Sequence, residues 1–264
     1  LGKTPIINTR HEQAAGFAAE GSARISRNPG FAMGTSGPGA TNLLTPIASS
    51  YFDSIPVVYI TGQVNQKELR TNLHQRQNGF QELDICEMAK PITKKVYKPQ
   101  TATEVLAALN EGWLLSQEGR QGPVLIDIPI NLQQVIIEYD FPSSLQSLKK
   151  FQISDEELLE FKNLLMAAKH PLLLIGGGVR LSNATELLSE FINKTGLPYV
   201  STLLGLDSIS HMNDKYLGFI GSYGNRWSNT AVTQSDLLIA IGSRLDVRQT
   251  GNDISKFITG KKIV

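Results

Sequence analysis

The chain has 264 residues, enough at about 150 per domain for two domains, each with its own core. Its 25 basic and 24 acidic residues leave a net charge of +1, which removes the electrostatic case for nucleic acid or an anionic membrane as partner. A single cysteine, Cys86, excludes an internal disulfide and every cysteine-rich metal site, and it fits a reducing compartment as a core thiol. No apolar run approaches the roughly 18 residues that cross a bilayer. No signal sequence opens the chain, so a cytoplasmic location is the expectation.

In chain order, residues 5–8 read as a short strand feeding a helix. From Ala14 to Ile25 the small or apolar residues Ala14, Ala15, Ala18, Ala19, Ala23 and Ile25 recur at helical spacing, which predicts a helix buried against its neighbours with few side chains reaching water. Asn28-Pro29-Gly30 is a turn, Phe31–Met33 a strand, and residues 35–42, TSGPGATN, a loop whose glycines let backbone and ligand meet closely. A helix over 43–51 follows, then PVVYIT at 56–61, a continuous apolar run of the kind a parallel sheet covered on both faces demands. Residues 65–79 are polar and read as an exposed loop. Thr101 to Ser116 predicts an amphipathic helix with Val105, Leu106, Leu109, Trp113 and Leu114 on one face, before the strand VLIDIPI.

The second half repeats the pattern. A helix opens at Ser154 with Asp155, Glu156 and Glu157 in its first turn, where the helix dipole favours acids. PLLLI at 171–175 ends in Gly176-Gly177-Gly178, a helix covers 184–195, and strands are predicted at 198–202 and 236–242 around a helix at 227–234. The fold class is α/β, with two doubly wound, mainly parallel-sheet domains at 1–135 and 154–264 and a linker at 136–153.

Glu12 heads the first predicted helix. HEQAA begins like the zinc motif H-E-x-x-H, but Ala15 stands where the second histidine belongs, so metal hydrolysis is set aside. TSGPGATN has neither the lysine of a phosphate loop nor the G-x-G-x-x-G spacing of a dinucleotide fingerprint. Two roles stay open to Glu12. One is a capping box with Thr9, satisfying the helix start; the other is chemistry.

Several segments in order carry a family resemblance: RHEQAAGFAAEGSAR at 10–24, TSGPGATNLLTPIASSYFDSIPVVYITGQV at 35–64, FQELDI at 80–85, GPVLIDIP at 122–129, GGGV at 176–179 and SDLLIAIGSRLDVRQTG at 235–251. The chain resembles thiamine diphosphate enzymes, closest to the acetolactate (acetohydroxyacid) synthase large subunit. The resemblance implies a pyrimidine-binding domain followed by a central Rossmann-like domain. It also implies that Glu12 hydrogen-bonds the cofactor's aminopyrimidine ring in a dry pocket, where burial would raise its carboxyl pKa. Ser36, Gly37, Pro38, Gly39, Asn42 and Gln63 are expected to bind thiamine diphosphate. Phe80, Gln81 and Lys94 correspond to residues near the intermediate or the substrate entrance.

FAD is left open. Arg120, Gly221, Gly224, Ser243, Arg244 and Arg248 are the residues the resemblance would place on it, yet Tyr223, Leu245 and Val247 depart from the flavin-bearing pattern. The resemblance further implies that the chain lacks the front of its first domain. It implies too that a third domain carries the Gly-Asp-Gly motif that holds the diphosphate through Mg2+, so no metal ligand is assigned here and the isolated piece is expected to be inactive. The implied reaction decarboxylates a 2-oxo acid such as pyruvate and transfers the two-carbon unit to a second 2-oxo acid. A homodimer or homotetramer is implied, with a regulatory subunit open. The alternatives are another decarboxylase, lyase or oxidase of the superfamily, or a noncatalytic nucleotide-binding or regulatory module.

Overall fold

The structure, a computed structural model, describes residues 5–72, 74–138 and 152–264. The chain divides into two units, Leu1–Lys150 and Phe151–Val264. Residues 139–151 of the expected linker lie outside the described residues.

The first unit runs α1 (Glu12–Ser26), β1 (Gly30–Gly34), α2 (Pro38–Asn42), α3 (Leu44–Asp53), β2 (Val57–Gln63), α4 (Ile85–Ala89), β3 (Lys95–Tyr97), α5 (Ala102–Gln117), β4 (Val124–Pro129) and α6 (Ile130–Gln133). Its strands form one sheet in the order β1-β2-β4-β3, and every pair is parallel. Val58, Val124, Ile126 and Ile128 point to the face covered by α5, while Tyr59 points to the other, where its hydroxyl meets Ser50 of α3 at 3.0 Å. Both faces are covered, which is why the strands read as unbroken apolar runs.

Small residues let the helices lie close to this sheet. A Cβ on Gly16 of α1 would stand 2.4 Å from Pro46 of α3, and one on Gly30 would stand 2.2 Å from the Ala19 carbonyl oxygen. The buried stripe of α1 is Gly16, Ala19, Glu20 and Ala23; Ala14, Ala18 and Ile25 are exposed, so the helix is not buried all round as its composition suggested. Only the i, i+3, i+4, i+7 row faces β1 and α3. Glu20 is tolerated inside because Arg24 pairs with it at 2.7 Å and Ser50 Oγ donates to it at 3.2 Å.

Three further expectations change. Residues 5–8 form no strand, and Ile6 and Ile7 are exposed. The end of the TSGPGATN loop is helical, starting at Pro38, whose fixed φ suits a first helical position. The expected face of α5 is only partly buried: Val105 and Leu109 pack against the core, the fully buried residues are the small Ala108, Gly112 and Ser116, and Trp113 stacks on Phe31 of β1 with ring centroids 5.4 Å apart.

The second unit runs α7 (Asp155–Ala167), β5 (Pro171–Ile175), α8 (Gly178–Leu181), α9 (Thr185–Thr195), β6 (Tyr199–Ser201), β7 (Tyr216–Phe219), α10 (Arg226–Gln234), β8 (Leu237–Ile241), α11 (Val247–Thr250), α12 (Ile254–Ile258) and β9 (Lys262–Ile263). Its all-parallel sheet has the order β7-β6-β5-β8-β9, so strand order reverses between β5 and β8. Alternate residues of β5 serve opposite layers. Leu173 and Ile175 pack with Leu188 and Ile192 of α9, and Leu172 and Leu174 with Val232 of α10 and Phe257 of α12. Ser154 and Glu157 form the reciprocal capping box that starts α7. Sequence reading missed β7 and β9, two short strands of four and two residues. No helix among the described residues is long and apolar enough to cross a membrane.

Candidate cofactor site

In a parallel sheet α1 runs back along β1, so its first residue lies at the carboxyl end of the strands, where ligands of such sheets gather. His11 caps the helix, its Nδ1 accepting from the Gln13 N–H at 3.1 Å, and the Thr9 hydroxyl donates to the His11 carbonyl at 2.9 Å. Glu12 is therefore the first helical residue, and the capping box open to Thr9 and Glu12 is not formed. Instead the Asn42 side-chain amide donates to Glu12 Oε2 at 2.9 Å.

That bond, followed by the backbone N–H of Glu12, holds the carboxyl below its ordinary pKa against a smaller opposing effect of burial. Glu12 is half-buried. The expected dry pocket with a raised pKa is thus not what this chain builds around Glu12, because donors at the helix start favour the charged form.

The glycine turn is wedged between Glu12 and Gln81. A Cβ on Gly39 would lie 3.1 Å from Glu12 Oε1 and 2.5 Å from Thr35 Cγ2. At Gly37, where φ is +60°, a Cβ would lie 2.8 Å from the Gln81 carbonyl oxygen. Half-buried Ser36 and exposed Pro38 complete the turn. Gln81 has a left-handed backbone, φ +62°, and Phe80 beside it is 84% exposed. The structure therefore brings Glu12, Ser36, Gly37, Pro38, Gly39, Asn42, Phe80 and Gln81 together from segments up to about 70 residues apart.

Gln63 ends β2 beneath this cluster. Its Nε2 donates to the Leu83 carbonyl at 2.7 Å and to Asp127 Oδ2 at 2.9 Å, and its Oε1 accepts from the Val64 N–H at 2.9 Å. The Thr61 hydroxyl donates to Asp127 Oδ1 at 2.7 Å. Burial pushes the Asp127 carboxyl up to about 6, against the bonds from Thr61 and Gln63. Asp127 was not singled out from the sequence; its one signal was an acid inside the otherwise apolar strand VLIDIP. The described residues of the polar loop at 65–79 are mostly exposed, as expected, with one helical turn at Gln66–Glu68. Glu82 gathers the N–H groups of Arg70 and Asn78, both at 2.8 Å.

Two candidates stand elsewhere. Lys94 precedes β3 and Arg120 precedes β4, so both lie at the amino edge of the sheet, roughly 20 Å from its carboxyl edge at strand rise. Lys94 Nζ donates to the Glu118 carbonyl, and burial lowers its pKa, opposed by the Glu118 charge. Arg120 Nε donates to Ser54 Oγ at 2.8 Å. The structure does not bring either to the Glu12 cluster.

In the second unit the carboxyl ends of β5 and β8 meet through glycines. A Cβ on Gly176 would stand 2.2 Å from the Gly242 carbonyl oxygen, and the Gly178 N–H donates to that oxygen at 2.9 Å. At the same edge Gly221, with φ +103°, lies against the Arg248 carbonyl, which accepts from the Ser222 N–H at 2.9 Å. Ser243 Oγ donates to Gln249 Oε1 at 2.8 Å, Arg244 Nε to Asp246 Oδ2 at 3.0 Å, and the Arg248 side chain is exposed. Gly224 lines an open cleft of about 480 Å³ with Arg226, Asn229, Thr230 and Thr233. Gly221, Gly224, Ser243, Arg244 and Arg248 are thus gathered at one edge. Among the described residues no group of three or more His, Cys, Asp or Glu could hold a metal ion.

Comparison with known families shows where the chain belongs. Residues 2–88 match the thiamine pyrophosphate enzyme N-terminal TPP binding domain, and residues 159–264 match the thiamine pyrophosphate enzyme central domain. The chain belongs to the thiamine pyrophosphate enzyme family. The first match contains Glu12, the glycine turn, Asn42 and Gln81 of this thiamine pyrophosphate enzyme chain; the second contains the glycine-rich edge of its central domain. The chain is 39% identical over 265 residues to the acetolactate synthase large subunit of Corynebacterium glutamicum, covering 99% of this chain and 41% of that protein. It is 40% identical over 260 residues to acetolactate synthase 2 of Nicotiana tabacum, a chloroplastic protein, covering 97% of this chain and 38% of that one. It is 37% identical over 262 residues to a probable acetolactate synthase large subunit of Methanococcus aeolicus, covering 97% of this chain and 43% of that one. The chain thus spans about two fifths of the length of the curated relatives it matches.

Proposed function

We propose that this chain forms the pyrimidine-binding and central domains of an acetolactate synthase-type enzyme that decarboxylates pyruvate or another 2-oxo acid and joins the two-carbon unit to a second 2-oxo acid. The observation that carries this reading is Glu12, anchored by Asn42 above the Gly37–Gly39 turn. Thiamine diphosphate, when bound, supplies the carbon nucleophile and electron sink for the decarboxylation.

Glu12 Oε2 is taken by Asn42, and the missing side chain at Gly39 leaves Oε1 open toward the turn. A carboxyl held below its ordinary pKa is ionised at neutral pH and acts as an acceptor, suited to a ring N–H. Gly37 and Gly39 keep the turn free of side chains, so a flat heterocycle fits against backbone. Half-exposed Glu12 needs water excluded for its single hydrogen bond to gain strength. Exposed Phe80 and Phe17 on the same unit favour a second subunit as that cover, hence at least a homodimer.

The central domain supports nucleotide binding at the β5/β8 reversal. Exposed Leu203 and Leu204 accompany its glycine-rich edge and suit a large planar group such as FAD, while Tyr223 and Val247 depart from the flavin-bearing pattern there. Visible absorbance of the purified protein distinguishes the two states: a flavin band supports FAD, and a colourless protein that binds no added FAD removes it.

Replacing Glu12 by Gln in the intact enzyme tests the main reading. The expected result is loss of pyruvate turnover by at least about a hundred-fold, with thiamine diphosphate still bound. Unchanged turnover would overturn the proposal.

A further inference from the structure

Gln81 holds a left-handed backbone, φ +62°, that side-chain-bearing residues rarely adopt, and its carbonyl is the atom against which Gly37 packs. Something outside the residue must hold that conformation. Just after it, the Glu82 carboxylate reaches back to accept the Arg70, Asn78 and Gly79 N–H groups at 2.8, 2.8 and 3.4 Å and closes the loop on itself. These bonds shape the loop without attaching it to the sheet. Downstream, the Leu83 carbonyl accepts from Gln63 Nε2 at 2.7 Å, and Gln63 is the last residue of a central strand.

Gln63 has no freedom to turn. Its second Nε2 hydrogen goes to Asp127 Oδ2 at 2.9 Å, its Oε1 is met by the Val64 N–H at 2.9 Å, and Asp127 is held from its other oxygen by Thr61 at 2.7 Å. Rotating the amide would point Oε1 at both the Leu83 oxygen and the Asp127 carboxylate. Asp127 thus selects the one orientation in which Gln63 donates to the loop.

We propose that Gln63, oriented by Asp127, is a positioning residue that clamps the 79–84 loop to the sheet and so fixes Gln81 against the Gly37 turn. The clamp acts one residue beyond the anchor that Glu82 provides, and both follow directly on the strained Gln81. What Gln81 does there rests on the functional reading above; the clamp itself does not.

Hydrogen exchange of the full chain, read on a peptide covering 79–84 and compared with global thermal unfolding, tests it. Gln63→Glu removes both donors and sets two carboxyls face to face. Exchange at 79–84 is expected to rise about ten-fold or more, the equivalent of a lost hydrogen bond, together with a fall in Tm. Adding Asp127→Asn gives residue 63 a donor to accept from but still offers nothing to the Leu83 carbonyl. In this double variant Tm is expected to recover while 79–84 stays fast. If 79–84 regains protection along with Tm, or stays protected when Gln63 is replaced, the clamp is wrong. The double variant is also the reading to use if Gln63→Glu alone does not fold. Because no cofactor is involved, failure here leaves the assignment of Glu12 standing, and loss of that assignment leaves this measurement intact.

Discussion

Asn42 donates its side-chain amide to Glu12 Oε2 at 2.9 Å, tying the last residue of one short helix to the first residue of another 30 positions earlier. The bond holds the carboxyl of Glu12 below its ordinary pKa. Asn42→Ala should therefore move the Glu12 midpoint upward in a carbon-detected NMR titration. A carboxyl lowered by folding contributes stability that is present above its ordinary value and lost as pH falls through the folded one. The Tm gap between wild type and Asn42→Ala should accordingly narrow below about pH 4. An unchanged midpoint would show that Asn42 does not set the charge of Glu12.

Gly37 and Gly196 both have positive φ, +60° and +66°, but only Gly37 also faces an obstacle, the Gln81 carbonyl at 2.8 Å from a built Cβ. Gly196 has nothing within 4 Å. Gly196→Ala should cost about 1 kcal/mol, the strain of a left-handed helix end alone. Gly37→Ala should cost about 2–3 kcal/mol and displace the 79–84 loop, since backbone strain and overlap add. Urea unfolding of the two variants gives the comparison, and equal losses would remove the contact between Gly37 and Gln81 from the account.

Asp127 titrates the other way. Burial raises its folded pKa to about 6, so between roughly pH 4 and 6 the folded chain binds more protons than the unfolded one. Its contribution therefore favours folding most at low pH and falls as pH rises to 6, then levels off. Asp127→Asn lacks this dependence. The stability of wild type relative to Asp127→Asn should drop by on the order of 2 kcal/mol between pH 4 and 7, measured by thermal unfolding in matched buffers. A difference independent of pH would mean that folding does not raise the Asp127 pKa.

Much of the chain was legible before any coordinate. Unbroken apolar runs such as PVVYIT and PLLLI announce parallel strands covered on both faces, and glycine and proline punctuation places the helices between them. The acids after Ser154 announce a helix start. Quoted motifs in order were enough to select the family and to bring Glu12, the glycine turn and Gln81 forward as one site, because these are local patterns that survive without knowledge of contacts.

What tertiary structure alone decided is who touches whom. Whether Glu12 caps its helix or faces the turn depended on Asn42, 30 residues away, and the sign of its pKa shift on the donors found there. Strand direction puts Lys94 and Arg120, the residues the resemblance assigned to the substrate entrance and the possible flavin, at the opposite edge of the first sheet from Glu12. Asp127 gained its meaning only from Thr61 and Gln63 on the neighbouring strand. Local sequence sets periodicity and turn chemistry, but which end of a parallel sheet a residue occupies, and which polar group answers a buried charge, follow from how distant strands come into register.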